Sequence, residues 1–284
     1  MNFKKEKLLG LGFFLIALST LSALAVITIF IFTEGVPVIA KVGVFNFIFG
    51  MKWAPSLGYY GIFPMIVGTV SVTLGAALIG VPVALCCSIF LTEFAPRQVR
   101  TIMRPAIQLL AGIPSVVYGF WGLTFIVPLI RTYLGGPGLS ILAGSLILAI
   151  MILPTIISIS EVSLLSLPGL YKQGSLALGA THWQTIHKVL LPSAKSGIMA
   201  AIVLGIGRAI GETMAVIMVL GNATALPRSI LDPARTLTTN IGIEMGYASG
   251  THQQALFATG IVLLVIIMIL NLIAQYIVRN EVRD

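Results

Sequence analysis

Six long apolar runs dominate the sequence, at about 8–32, 63–91, 105–130, 141–163, 197–221 and 255–278. A helix rises about 1.5 Å per residue, so crossing a hydrocarbon core of roughly 30 Å takes about 20 apolar residues. Each run is long enough. A transmembrane β-barrel would need short segments of alternating polarity, and these runs are too uniformly apolar for one. The expected fold is therefore all-α and integral to a membrane, with six transmembrane helices. Composition agrees, since 57% of the 284 residues are hydrophobic and only 9% are charged, against about 25% charged in soluble domains.

The first run follows "MNFKKEK", which looks like the charged start of a signal peptide. It continues for about 25 residues without a small-residue cleavage pattern, and so reads as a retained helix. The formal charge of +8 raises the question of nucleic acid, and the placement of the charges answers it. Lys4, Lys5, Lys7, Arg97, Arg100, Arg104, Lys172, Lys188, Lys195, Arg279 and Arg283 fall at the N-terminus, in the second and fourth connections and at the C-terminus. Only Lys41, Lys52, Arg131, Arg228 and Arg235 fall in the odd-numbered connections. The positive-inside rule then puts both termini in the cytoplasm, and no nucleic-acid partner is expected. Cys86 and Cys87 are adjacent in the second run; with no nearby His or acid they lack metal-ligand spacing, and they read as helix packing.

Between the first two runs, 44–61 interleaves Phe45, Phe47, Phe49, Trp53, Tyr59 and Tyr60 with Gly, Pro and Lys52, a composition that favours the outer headgroup level. Pro82 lies mid-helix in the second run, where it removes a backbone hydrogen bond and predicts a bend. In the third run, Ala111, Ser115, Gly119 and Gly122 form a small-residue stripe that admits a neighbouring backbone. Beyond tight packing, Pro114, Ser115 and Tyr118 are candidates for a pore lining or gate. The fourth connection, 164–196, predicts two short helices, "GLYKQGSLALGA" and "HWQTIHKVLL", separated near Gly179 and Thr181 and closed by Pro192. Such a cytoplasmic helix-turn-helix could dock in a groove on a soluble partner. His182 and His187 diverge on a helix, so a solvated face suits them better than a metal.

The fifth run holds "GIGRAIGETMAV", 205–216, with two full charges where water is scarce. On a continuous helix, Ala201, Gly205, Arg208, Glu212 and Ala215 cluster within about 80°, opposite Val203, Ile206, Ile210, Met214 and Ile217. A charge at mid-bilayer costs roughly 2.5–3.5 kcal/mol on insertion scales, so the polar stripe should face a bundle interior or a watery cavity. Two readings stay open. Arg208 and Glu212 pair at i, i+4, or Arg208 offers its fork of donors to an oxyanion while Glu212 holds or releases it.

These residues resemble a known family, the membrane subunits of ABC importers. "QGSLALGATHWQTIHKVLLP" is similar to that family's EAA loop, with Gln173, Gly174 and Ser175 at the E-A-A positions, Gly179 at the glycine, and Val189, Leu191 and Pro192 at I-x-L-P. Gln173 departs from the pattern by losing the acid. "AGIPSVVYGFWGL" and "GRAIGETMAVIMVLGN" look like permeases of the bacterial phosphate-specific (Pst) importers, the PstC type more than PstA. The resemblance covers about residues 60–280. It implies a type I (MetI-like) permease fold in the bacterial inner membrane, and a translocation role for Arg208, Glu212 and Thr213. It also implies docking of the 173–192 helices on an ATPase, and partners in a second permease (PstA-like), an ATPase dimer (PstB-like) and a phosphate receptor (PstS-like).

No G-x-x-x-x-G-K-[ST] loop is present, so ATP and Mg would be used by the partner. The chain itself is expected to bind no cofactor and to be no enzyme, having no H-E-x-x-H or G-x-S-x-G. The expected organisation is a first helix and outer segment over 1–62, a permease domain over 63–278 with a coupling region at 164–196, and a tail at 279–284. An importer of sulfate or molybdate is the near alternative, since a guanidinium alone does not separate tetrahedral anions. A secondary transporter is the further one.

Overall fold

Long apolar segments with few breakers form long helices because, away from water, only intrasegment hydrogen bonds satisfy the backbone. The computed structural model describes the backbone of residues 3–281 and the side chains of 10–273, 275 and 276. Lys4, Lys5, Lys7, Arg279 and Arg283, and all of the predicted tail at 279–284, lie outside the described side chains. Helix α1 spans Phe3–Val42 and is followed by α2, Val44–Phe49, then a hairpin of β1, Trp53–Ala54, and β2, Tyr59–Tyr60. Helix α3, Phe63–Ile89, closes in a wide π-type turn at Phe90–Phe94, after which α4 runs from Arg97 to Gly112. Helix α5, Ser115–Trp121, passes through a second π-type turn, Gly122–Ile126, into α6, Val127–Tyr133.

Helix α7, Ile141–Leu165, is the most buried of the long helices and packs most extensively on α3. Next come α8, Gly169–Ala177, and α9, His182–Thr185, which runs through a π-type turn at Ile186–Leu190 into α10, Leu191–Ser193. Helices α11, Lys195–Gly211, α12, Met214–Val219, α13, Leu237–Glu244, and α14, Thr251–Glu281, complete the chain. The main core lies between α3, α7, α11 and α12, with Ala76, Ile147, Ile152, Ile156, Ala201 and Ala215 fully buried. Glycine permits the closest approaches here: a Cβ at Gly205 would lie 2.7 Å from Ile156 Cγ1, and one at Gly119 would lie 2.9 Å from Ala215 Cα.

Five described stretches are long and apolar enough to cross a bilayer: Gly10–Val42, Phe63–Phe94, Ser115–Tyr133, Ile141–Leu165 and Thr251–Ile273. A sixth is reached if His182–Ser193 and Lys195–Gly211, bent by 70°, count as one broken span. Two of the predicted runs are therefore corrected. The run at 105–130 is not one helix, because α4 stops at Gly112 and the chain is extended at Ile113 (φ −69°, ψ 127°) and Pro114 (φ −59°, ψ 141°). The proline disfavours helical backbone at the residue before it. The run at 197–221 breaks at Glu212, which is extended at φ −70°, ψ 128°. Pro82, by contrast, sits inside an uninterrupted α3. Cys87 packs against the core, but Cys86 is exposed, so the packing role expected of both belongs to Cys87.

At the end opposite α8–α10, the aromatic segment is only partly interfacial. Phe45, Phe49 and Tyr59 are exposed, as expected, while Phe47 and Trp53 are buried. Trp53 is held by a charge cluster that the sequence did not reveal. Its Nε1 donates to Glu244 Oε2 (2.9 Å), His252 Nε2 lies 2.8 Å from the same oxygen, and Arg235 Nη1 donates to Oε1 (2.6 Å) and to Asn240 Oδ1 (3.1 Å). One carboxylate thus ties the hairpin, the 222–236 loop, α13 and α14 together.

Burial pushes the Glu244 carboxyl up, but the Trp53, His252 and Arg235 hydrogen bonds and the Arg235 charge outweigh it and hold the group below its ordinary value. A folded-state pKa below the unfolded one adds stability that is complete above the unfolded pKa and lost as pH falls through the folded value. The thermal midpoint of the purified protein should therefore drop as pH falls below about 4.3. Glu244→Gln should cost about 1–3 kcal/mol at neutral pH and abolish that acid-dependent loss, both measurable by scanning fluorimetry across pH.

Candidate functional site: paired helix breaks and the coupling helices

The two helix breaks lie against one another, because the helices that leave them, α5 and α12, pack together through Gly119, Met218 and Ala215. Each break is closed by side chains. Tyr118, buried one turn after Pro114, donates its hydroxyl to the Leu110 carbonyl (2.8 Å) and so bridges the interruption between α4 and α5. Pro114 caps α5, and Ser115 is its first residue. At the other break, Glu212 Oε1 accepts from the Ala215 N–H (3.2 Å), and Thr238 of α13 donates to the Glu212 carbonyl (3.1 Å). Thr213 occupies the cap position of α12, and its methyl lies against Gly242.

Arg208 lies in the last turn of α11, where the partial negative charge of the helix end favours a cation. Its Nη1 donates to Thr155 Oγ1 of α7 at 3.3 Å, and its charge reaches Tyr118 across the junction. Arg208 and Glu212 form no ion pair among the described residues. The predicted i, i+4 pairing needed a continuous helix, and the extended backbone at Glu212 removes it. The inward direction of the small residues does hold on α11, since Ala201 and Gly205 are buried against α7. The geometry leaves one half-buried guanidinium, held among the described residues by one long hydrogen bond, at a break between two helices. Such a group can accept an anion without first breaking an ion pair.

The 164–196 connection has the two short helices that the sequence reading expects. Helix α8 ends at Ala177, Gly179 takes φ +85°, and Thr181 with Gln184 forms a capping box at the start of α9. Gln173 and Gly174 are exposed, and Ser175 hydroxyl-bonds Thr185 (3.0 Å) across the turn. Val189 is half-buried, while Leu191 packs with Ile186, Leu190, Ala194 and Ile198 in a separate apolar cluster. Pro192 lies in the first turn of α10, where a missing N–H costs nothing.

His187 is exposed, as expected. His182 is not simply solvated. Its Nε2 lies 3.1 Å from Glu93 Oε2, which also accepts from Lys172 Nζ at 2.6 Å. Glu93 is a functional candidate that sequence reasoning missed, because nothing local links the end of the second span to positions 79 and 89 residues further on. Across the outer surface of these helices, Leu170, Tyr171, Leu176, Leu178 and Trp183 are exposed. A cluster of exposed large apolar residues marks an interaction surface.

Residues 80–283 match the family of binding-protein-dependent transport system inner membrane components. The chain belongs to that family. It is 45% identical over 268 residues to the probable ABC transporter permease protein YqgH of Bacillus subtilis, covering 92% of this chain and 87% of that protein. It is 36% identical over 261 residues to the phosphate transport system permease protein PstC of Pasteurella multocida, with coverages of 84% and 82%. Among solved structures, the inward-facing MetNI methionine transporter aligns with a TM-score of 0.63 at 21% identity, over 81% of this chain and 99% of that one. A bacterial alginate transporter aligns with a TM-score of 0.65 at 17% identity, over 94% of each chain. The fold is thus that of the MetI-like type I importer permeases, and the protein is a multi-pass inner-membrane permease.

For this permease, Glu93→Gln should loosen α8 and α9 from the end of α3. Amide hydrogen exchange over 169–190 should accelerate by about 3- to 10-fold, the smaller value reflecting solvent screening of the half-exposed Lys172. Exchange over 141–165 should not change. Peptide-resolved mass spectrometry measures both.

Proposed function

We propose that the chain is the PstC-type permease subunit of an ATP-driven phosphate importer, forming one half of the translocation pathway. The observation that carries this reading is the Arg208 guanidinium at the α11–α12 break, hydrogen-bonded to Thr155 and, among the described residues, not paired with Glu212. A planar fork of donors in a low-dielectric setting suits a phosphate oxyanion. The similarity to PstC proteins along most of the chain supports phosphate over sulfate or molybdate. Glu212 and Thr213 contribute by shaping the break, Thr213 at the cap position of α12 and Glu212 by accepting the Ala215 N–H of its first turn rather than by pairing with Arg208. Pro114, Ser115 and Tyr118 shape the facing break, where a gate would lie.

The complex comprises a second permease resembling PstA, which supplies the other wall, and a PstB-like ATPase dimer that uses ATP and Mg. A PstS-like receptor delivers phosphate at the outer face. The exposed Leu170, Tyr171, Leu176, Leu178 and Trp183 are the apolar surface on which an ATPase would dock. Gln173, at the family's acidic position, is exposed beside them and meets the motor without an ion pair. The coupling end is then cytoplasmic, as are both termini, which agrees with the sidedness of the basic residues.

The test is uptake of labelled phosphate by cells or proteoliposomes carrying the whole complex. Arg208→Gln at normal membrane levels should lower the initial rate by roughly 10- to 100-fold, as expected for loss of a charge-assisted contact. Full retained uptake removes the assigned role. Competition by unlabelled sulfate or molybdate as strong as that by phosphate removes the assigned substrate.

A further inference from the structure

A second group of arginines lies on the inner side of Arg208, on α4 and against α7. Helix α7 carries polar residues at Thr155, Ser158 and Glu161, each turned about 60° from the last, so that they wind along one side of the helix over roughly 120°. Thr155 holds Arg208, and Glu161 holds Arg104. The two anchor points are six residues apart, or roughly 9 Å along the helix. Between α4 and α7 lies an open hollow of ≈ 280 Å³ whose polar lining is Arg104, Gln108, Ser158 and Glu161. A second hollow adjoins it at Arg104, lined by Arg97, Arg100 and Thr101.

The pairing within this group is incomplete. Arg104 directs both Nε (2.6 Å) and Nη2 (2.5 Å) at a single oxygen, Glu161 Oε1, so its Nη1 is not engaged by that carboxylate. Arg100 donates Nη2 to the Thr92 and Ala95 carbonyls, and its buried Nε has no hydrogen-bond partner among the described residues. Arg97 is exposed. Three guanidinium groups thus border two adjoining hollows whose lining holds a single carboxylate, Glu161.

We propose that the Arg104 hollow is a second anion-binding station, on the cytoplasmic side of Arg208, that takes the phosphate oxyanion before release; this rests on the phosphate-import reading above. The polar residues of α7 set the order. An anion leaving Arg208 at Thr155 meets Ser158, then the open donors of Arg104, where it competes with Glu161, and finally Arg100 and Arg97. Glu161 keeps the station weak by occupying half of the Arg104 fork, so that release is not blocked.

A purely structural role for Arg104 would be to neutralise the buried Glu161, and a double variant separates the two. In the whole complex, with partner copurification and ATP hydrolysis measured alongside, Arg104→Gln should slow phosphate uptake by about tenfold, one charge-assisted contact. Arg104→Gln combined with Glu161→Gln should stay slow, and Arg104→Lys should recover part of the rate. Recovery in the double variant, or normal uptake in Arg104→Gln, overturns the station. If Arg208→Gln transports normally as well, the phosphate reading itself falls; if Arg208→Gln alone is slow, only the station falls.

Should the Arg104 variants fail to assemble, the unaltered complex in detergent still decides. Inorganic phosphate should slow modification of Arg104 by phenylglyoxal, read by peptide mass spectrometry, more than chloride at equal ionic strength and without protecting exposed Arg228. Protection by phosphatidylglycerol micelles but not by phosphate makes the group a lipid headgroup site and overturns the proposal, as does no protection at all.

Discussion

Two interruptions of helical backbone, at 112–114 and 211–213, govern the interior of this permease. An unsatisfied peptide group in hydrocarbon costs several kcal/mol, so a break survives only where protein or water receives the freed donors and acceptors. Here the chain supplies its own receivers. Tyr118 bonds the Leu110 carbonyl, Thr238 bonds the Glu212 carbonyl, and the Glu212 carboxylate takes the Ala215 N–H. The α13 segment exists in part for this purpose. Its start is fixed by the Thr236–Thr239 capping box and by the Leu237 N–H on Thr69, which brings Thr238 to the break. Once Glu212 is committed to α12, Arg208 is left without a carboxylate. The free guanidinium is thus a consequence of how the broken backbone is satisfied.

The sequence was most legible where a single local rule decides. Apolar run length located the long spans, and Gly179, Thr181 and Gln184 located the turn between the coupling helices. It was least legible where a helix was assumed continuous. The 100° wheel put Ala201 and Gly205 on the correct face, because α11 is regular there, and then carried the same face past Gly211 to Glu212, where the geometry no longer applies. Nothing in "AIGETMA" demands extended backbone at Glu212; the demand comes from Thr238, 26 residues later. Pro114 did carry a local signal against helix at Ile113, but the apolar composition on either side concealed it. Glu93, Glu244 and Glu161 share one reason for escaping notice: each finds its partners between 8 and 191 residues away, across elements whose packing no local pattern records.

On the proposed function, force applied to α8–α10 would have a short route to Arg208. Helix α10 ends at Ser193 and α11 begins at Lys195, with a 70° bend between the two arms. From Lys195 to Arg208 the helix is unbroken, so it carries a displacement over roughly 20 Å. Glu93 adds a second connection, from Lys172 and His182 to the end of α3. Helix α3 cannot slide easily on α7, because Gly75 meets Ser145 and Gly80 meets Ile152 with no room for a Cβ. Helix α11 is seated on α7 in the same way, since Gly197 meets Ser163 and Gly205 meets Ile156 with no room for a Cβ, so a displacement from α8–α10 would move α3, α7 and α11 together.

The polar contact at Arg208 is weaker than the ion pairs elsewhere in the bundle. Arg208 to Thr155 is a lone hydrogen bond of 3.3 Å, whereas the Arg104–Glu161 and Arg235–Glu244 contacts are charge-assisted and close to 2.6 Å. Hydrogen bonds lose strength with length, and charge-assisted ones are about twice as strong as neutral ones. On the proposed function, an anion arriving at Arg208 would displace the Thr155 contact before either ion pair. The arginine at the break is then the one whose donors change hands, while the paired residues hold the helices around it.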